Sequence, residues 1–280
     1  MQVLILGCGD IGTRAGLSLL DRGWRVAAAR RNPDRLPDQF VRHKVNLTDP
    51  ASFVALDTMV PDYVVVTPTP QSYDLAGYQA GFAGVAKTLA SQKWIAQCRR
   101  VIWVSSTRVY TESDGGWVDE HSPLNLDEPQ ASSMIAGEAA IRRASTATII
   151  RPAGVYGDPQ GMLMRRVRAG EGGATGALYG NRIHREDLSR LIVHCLERDH
   201  AGESVPPTVV GADHDQTPTH KIEDWLADQI AVTLVRPSDP SPSRAHRRCR
   251  NALLERIGFR LSYPTWREGY RAALDASSDK

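Results

Sequence analysis

Long apolar runs are missing from this chain of 280 residues. No stretch reaches the roughly 18 apolar residues that a membrane-spanning helix needs, so no membrane partner is expected. A dominant charge sign is missing too: 34 Lys and Arg stand against 32 Asp and Glu, a formal net charge of +2, with the two signs interspersed. A nucleic-acid partner would call for a clustered basic face, and none is expected here. Cysteine is scarce. Cys8, Cys98, Cys195 and Cys249 are scattered without a Cys-x-x-Cys pair, which fits neither a disulfide framework nor a zinc site, and no metal is expected. The chain opens on the strand-like run Gln2-Val3-Leu4-Ile5-Leu6, without the basic region and cleavage site of a signal peptide, so the expected compartment is the reducing cytoplasm. Internal repeats and low-complexity tracts are lacking as well. What remains is ordinary globular composition, 41% hydrophobic and 24% charged, which excludes wholesale disorder.

The first half alternates apolar, β-rich runs with helical patterns, the signature of a parallel sheet covered by helices on both faces. Strands are expected at residues 3–6, 26–29, 41–45, 63–66, 101–104 and 147–150. They read as near-continuous apolar runs, as strands buried on both faces do. A helix is expected over 11–22, with Leu17 and Leu20 inward and Gly23 as its stop. Asp49 or Ser52 opens a short helix, and residues 76–97 carry a longer helical periodicity. After Pro152 the texture changes, with a glycine-rich loop at 170–180, an amphipathic helix at 187–197, a Pro/Ser linker at 238–243, and helices at 252–257 and from Trp266. The expected architecture is α/β, a doubly wound parallel sheet of the Rossmann type with a smaller C-terminal lobe. Residues 1–156 form the nucleotide-binding domain, 181–211 return to it, and 157–280 mostly build the lobe.

Gly7-Cys8-Gly9-Asp10-Ile11-Gly12 is a GxGxxG turn lying between a strand and a helix, the context that makes this otherwise weak pattern a dinucleotide fingerprint. Gly7 allows the tight turn, Gly9 lets a pyrophosphate approach, and Gly12 lets the helix pack close; with Asp10 and Ile11 they form the expected phosphate turn. The end of the second strand selects the cofactor. A site for NAD usually carries Asp or Glu there, whereas this chain carries Arg30 and Arg31, which can grip a 2′-phosphate. The expected cofactor is therefore NADP(H). The plain alternatives are an ordinary strand–helix turn and a pair of solvated arginines.

Four stretches, 7–12, 104–110 (Val-Ser-Ser-Thr-Arg-Val-Tyr), 150–157 (Ile-Arg-Pro-Ala-Gly-Val-Tyr-Gly) and 182–188 (Arg-Ile-His-Arg-Glu-Asp-Leu), make the chain resemble the short-chain dehydrogenase/reductase superfamily. The resemblance is to the extended type related to nucleotide-sugar epimerases and dehydratases, and is nearest to the atypical YeeZ-like subgroup; the tail from Asn251 to Pro264 matches too. It implies that Ser106 holds a substrate carbonyl or hydroxyl. It also implies that Asn46 and Leu47 lie beside the adenine, Thr67 along the pyrophosphate and ribose, and Pro152 to Gly154 near the nicotinamide. Ser106 has a plain alternative, satisfying backbone groups at its strand end. Helices over 76–97 and 131–143 form a dimer interface in many relatives, so a homodimer is expected by analogy.

The family's working pair is a Tyr with a Lys four residues on, the cation lowering the phenol's pKa. Counting from Glu138, those positions hold Gln130 and Met134, and no Tyr-x-x-x-Lys occurs in the chain. Three readings follow: an oxidoreductase or epimerase using another acid (Tyr110, Tyr156 or His184), an NADP(H)-binding sensor or regulator without turnover, or a relative holding only a nucleotide-sugar or other phosphate ligand. Each of the three acids also reads as packing, His184 bracing a turn capped by Asp187. The run Arg244-Ala245-His246-Arg247-Arg248-Cys249-Arg250 reads either as an anion clamp or as a solvated face. Glu112, Asp119 and Glu120 could supply a carboxylate, or are simply solvated. The substrate is an unidentified small molecule.

Overall fold

The computed structural model describes residues 1–173, 175, 178–237 and 246–278. The Pro/Ser linker at 238–243, the first two residues of the 244–250 run and part of the 170–180 loop lie outside them. In chain order the elements are β1 (Gln2–Leu6), α1 (Asp10–Leu20), β2 (Arg25–Arg30), β3 (Val41–Lys44), β4 (Tyr63–Val66), α2 (Leu75–Tyr78), α3 (Val85–Ala90), β5 (Arg100–Val104), β6 (Trp117–Val118) and α4 (Pro129–Ala144). There follow β7 (Ala147–Pro152), β8 (Gly154–Tyr156), α5 (Met162–Arg168), β9 (Arg182–His184), α6 (Arg185–His200), β10 (Thr208–Gly211), α7 (Thr219–Gln229), β11 (Arg248–Cys249), α8 (Ala252–Arg256) and α9 (Trp266–Ser278). Seven strands form the main sheet in the order β10-β7-β5-β4-β1-β2-β3, and the pairs from β7 to β3 are parallel. The strand order reverses between β1 and β4, the topological switch point where open α/β sheets bind ligands. This is the expected doubly wound sheet. Contacts divide the chain into one unit of residues 1–111, 124–151 and 188–209, and another of 112–123, 152–187 and 210–280.

In the first unit, Val3 to Leu6, Val26 to Ala29, Tyr63 to Val66 and Val101 to Val104 are buried without a break, as strands covered on both faces must be. The inner face of α1 differs from the expected one. Leu17 is exposed and Leu20 half-buried, while Gly12, Ala15, Gly16 and Leu19 face inward. Small residues let the helix axis approach the sheet: a Cβ on Gly16 would stand 2.6 Å from the Phe40 ring and 3.1 Å from Ile5. The helix expected over 76–97 is likewise interrupted. A π-turn (Gln79–Gly84) separates α2 from α3, which ends at Ala90. One buried ionic network ties β5, α4 and β7. Glu138 accepts from Ser105 Oγ at 2.5 Å and from Arg151 Nη2 at 2.6 Å, and Arg151 donates to the Tyr110 hydroxyl at 3.3 Å.

The second unit buries Tyr156, Met164, Val167, Ile222, Leu226, Trp266 and Tyr270 together. Asp187 is not the expected helix cap. It is the third residue of α6, fully buried, and its carboxylate accepts the backbone amides of Ser262 at 2.7 Å and Tyr263 at 2.9 Å, pinning the tail. Asp213 is 1% exposed; one oxygen accepts the Asp215 amide and the other has no hydrogen-bond partner. Burial pushes its carboxyl up to about 8, against the lowering pull of that amide and of Arg182.

Two stability predictions follow from these buried groups. Glu138→Gln leaves the Arg151 guanidinium buried beside a neutral amide and should cost roughly 3–5 kcal/mol in denaturant unfolding; a loss under about 1 kcal/mol would show that the charge pairing contributes little. For Asp213, the folded state keeps the proton between the ordinary carboxyl range and pH 8, so wild-type stability falls as pH rises through that window and levels above it. Asp213→Asn keeps an accepting oxygen and removes the titration, so between pH 5 and pH 9 it should lose on the order of 3 kcal/mol less stability than wild type. Equal losses would place the titration elsewhere.

Candidate functional site

The C-terminal end of β1 leads into Gly7, whose φ of +73° is left-handed and whose Cβ, if present, would stand 2.7 Å from the Thr67 carbonyl oxygen. The turn is tied on both sides. The Gly7 and Cys8 amides donate to the Ala29 carbonyl at 3.0 and 3.1 Å, and Thr67 Oγ1 donates to the Gly7 carbonyl at 2.8 Å. The ends of β2 and β4 are thereby held at the end of β1. Gly9 is the N-cap of α1, and no side chain caps that helix. A Cβ on Gly9 would meet only the Gly7 carbonyl, at 3.8 Å, so the space before the helix is open. Gly12 packs differently: its Cβ would lie 2.9 Å from Ile5, so it serves the helix–strand approach.

A cavity of about 550 Å³ opens over this turn. Of the expected residues it is lined by Gly7, Gly9, Arg30, Arg31, Asn46, Leu47 and Thr67. Asp10, Ile11, Gly12 and Pro152 do not line it. Asp10 pairs with Arg14 at 3.1 Å one turn along α1, and Pro152 ends β7. Arg35 and Asn32 also line the cavity, and the sequence reading missed both. The signal was local: Asn32 Oδ1 accepts the Asp34 amide and caps a 3₁₀ turn (Pro33–Arg35) that brings Arg35 back. Three guanidiniums thus line the cavity with no carboxylate among its lining residues. Cys8 lines it too, but burial pushes its thiol up to about 11, countered only partly by Thr13 and Arg30, so it stays protonated at neutral pH.

A second cavity of about 420 Å³ shares Thr69, Pro70 and Gln71 with the first. Ser106 lines it at the end of β5, with Met134 of α4, Arg108, and Tyr78 and Phe82 of the π-interrupted helix. The π-turn sorts this helix between the two spaces, Gly81 and Val85 facing the first and Tyr78 and Phe82 the second. Gly81 also lets the Thr69–Pro70 backbone lie against the helix, where a Cβ would overlap it. Ser106 Oγ accepts the Arg108 amide at 3.1 Å and caps the turn Thr107–Val109. Arg108 pairs with Glu128, donates to the Tyr78 hydroxyl at 3.3 Å and lies 4.9 Å over its ring. The Glu128 partner and the guanidinium–phenol contact hold Arg108 strongly cationic.

The other expected acids line neither of these two cavities. Tyr110 is fully buried on Arg151. The Tyr156 hydroxyl donates to the Thr265 carbonyl at 3.2 Å, and burial raises its pKa far above the usual phenol range. His184 stacks 3.8 Å from Tyr263 and accepts the Glu186 amide. Glu112, Asp119 and Glu120 accept backbone amides at 2.7, 2.9 and 2.9 Å. Among the described residues of the basic run Arg247 is buried, Arg248 half-buried and Arg250 exposed, and Arg248 and Arg250 lie over Trp117 at 4.8 and 5.5 Å. Among the described residues no group of three or more His, Cys, Asp or Glu is placed to hold a metal ion, and no helix is long and apolar enough to cross a membrane.

A family model described as NAD(P)H-binding matches residues 7–199. Among solved structures, a protein of Methylobacillus flagellatus provisionally assigned as an NAD-dependent epimerase/dehydratase is 26% identical, with 99% of this chain and 98% of that one covered and a TM-score of 0.80. The Bordetella bronchiseptica enzyme WbmG, in complex with NAD and UDP, is 16% identical over 99% and 94% of the chains, with a TM-score of 0.81. The UDP-glucose 4-epimerase of Thermus thermophilus, in complex with NAD, is 18% identical over 98% of both, with a TM-score of 0.78. The last two likenesses concern the fold. No curated protein is matched by the sequence.

The two glycines of the turn should separate experimentally. Gly9→Val projects into the open cavity and should leave the melting temperature within about 2 °C of wild type while abolishing dinucleotide binding, since its backbone needs no positive φ. Gly7→Ala meets both a left-handed φ and the Thr67 carbonyl, and should destabilise by roughly 2 kcal/mol or more. Undiminished binding by Gly9→Val would place the ligand away from this turn.

Proposed function

Because the chain belongs to the NAD(P)H-binding family, we propose that it is an NADP(H)-dependent oxidoreductase of the epimerase/dehydratase kind, acting on a small carbonyl or hydroxyl compound or a nucleotide-sugar-like substrate. The observation that carries the choice of cofactor is the wall of Arg30, Arg31 and Arg35 in a cavity whose lining holds no carboxylate. A carboxylate at the end of β2 would bond the ribose 2′-hydroxyl of NAD and repel a 2′-phosphate, whereas guanidiniums attract that phosphate through charge-assisted hydrogen bonds. The residues present fit the cofactor. Gly9 lines the cavity and leaves the space a pyrophosphate needs, and as the N-cap of α1 without a side-chain cap it puts the positive end of the helix dipole beside that space. Asn46 and Leu47 would border the adenine and Thr67 the ribose. The bound nicotinamide would supply or accept hydride, and Ser106 would hold the substrate oxygen in the adjoining cavity.

One observation favours a second reading, a non-catalytic NADP(H)-binding sensor: Gln130 and Met134 stand where the family has its proton-transferring pair. Gln130 cannot exchange a proton, and Met134 lines the second cavity without charge. NADPH oxidation across aldehydes, ketones and nucleotide-sugars separates the two readings.

Arg30→Glu should weaken NADPH binding by roughly 100-fold, the cost of a lost charge-assisted contact, and NADH binding far less. Titration calorimetry with both cofactors checks this. Equal losses would show that the arginine does not read a 2′-phosphate.

A further inference from the structure

The second cavity contains a phenol that neither the sequence pattern nor the family pair points to. Tyr78 is 8% exposed, stacks on Phe82 at 5.7 Å between centroids, and presents its hydroxyl to Arg108. The direction of that hydrogen bond matters. A guanidinium only donates, so the Tyr78 oxygen is the acceptor and its own proton is left for another group. Ser106 is in the same condition: its oxygen accepts the Arg108 amide, and its hydroxyl proton is uncommitted. Two O–H donors therefore line one cavity of substrate size, each fixed through its oxygen by Arg108. Arg108 is itself fixed by Glu128, which also caps α4 through the Ala131 amide at 2.7 Å.

We propose that Tyr78 is the proton donor and acceptor of this cavity, with Arg108 as its positioning residue, in place of the Tyr-x-x-x-Lys pair the chain lacks. This rests on the oxidoreductase reading above. In the direction of carbonyl reduction, the bound nicotinamide would supply the hydride for the new C–H bond at the carbonyl carbon as the C=O π bond breaks. The Tyr78 O–H bond breaks with it, and its proton forms the new O–H of the alcohol. The phenolate left behind is held by the Arg108 N–H and takes a proton from solvent. In alcohol oxidation the same bonds form and break in reverse. Ser106 donates its hydrogen bond to the substrate oxygen throughout. Arg108 stands beside this phenol as the lysine stands beside the tyrosine in relatives, holding its oxygen through an N–H donor.

Tyr78→Phe keeps the ring and its stacking on Phe82, so it separates proton transfer from packing. With any aldehyde or ketone found to oxidise NADPH, this variant should lose about 100-fold or more in kcat, the usual contribution of general acid–base catalysis, with KM within about twofold of wild type. Melting temperature and NADPH affinity by fluorescence should be unchanged. Arg108→Gln should also lower kcat, and Arg108→Lys should recover part of the loss. Independently of turnover, ¹³Cζ-tyrosine labelling gives a Tyr78 resonance, assigned by its absence from Tyr78→Phe, that should move in Arg108→Gln. Wild-type kcat in Tyr78→Phe, or an unmoved resonance, overturns the proposal. So does a wild-type protein that binds NADPH tightly yet reduces no carbonyl compound, an outcome that leaves the dinucleotide site standing. Failure to bind NADPH would instead sink the reading on which the proposal rests.

Discussion

The interaction on which the site depends is the close approach of three strand ends at Gly7. Its amide and that of Cys8 share the Ala29 carbonyl at the end of β2, and its carbonyl accepts the Thr67 hydroxyl at the end of β4. A side chain at residue 7 would occupy the place of the Thr67 carbonyl. Hydrogen bonds from neighbouring strands thus replace the side chain that glycine does not have, and a residue with costly backbone freedom becomes a fixed point. The arginines at and just beyond the end of β2 and the loop that follows β4 are positioned from it.

The same device recurs where that loop meets the helix after it. Gly77 and Gly81 let the backbone of residues 69–72 lie against α2 and the π-turn. One short loop then forms a wall common to the two cavities, with Gln71 reaching across to donate to Thr48 on the far side of the first. The π-turn rotates the helix so that Gly81 and Val85 serve one space while Tyr78 and Phe82 serve the other. In an uninterrupted α-helix these four positions would fall within one arc of roughly 100°.

The strands were legible because burial on both faces writes itself as unbroken apolar runs, which Tyr63 to Val66 and Val101 to Val104 illustrate. The helices were less so. Leu17 looked like a core position by periodicity and is exposed, because the inner face of α1 is built from Gly12, Ala15 and Gly16, whose contribution is closeness rather than apolar area. Asp187 looked like a cap and instead holds a backbone segment 75 residues downstream, a partner no local pattern can announce. Arg35 was concealed by a 3₁₀ turn too short to show periodicity.

By itself the sequence determined the α/β class, the order of the strands along the chain and the glycine turn, because these follow from local conformational preference and from the period of apolar residues. It also determined the absence of a Tyr-x-x-x-Lys pair and the presence of Arg30 and Arg31 after the second strand, which are facts of residue identity. Only the tertiary structure decided which side chains share a cavity. Tyr78, Ser106 with Arg108, and Met134 come from three separate stretches of chain and meet because the segments after β4 and β5 pack against α4. Contact between residues distant in sequence depends on how whole elements stack, and no pattern within a single element encodes it.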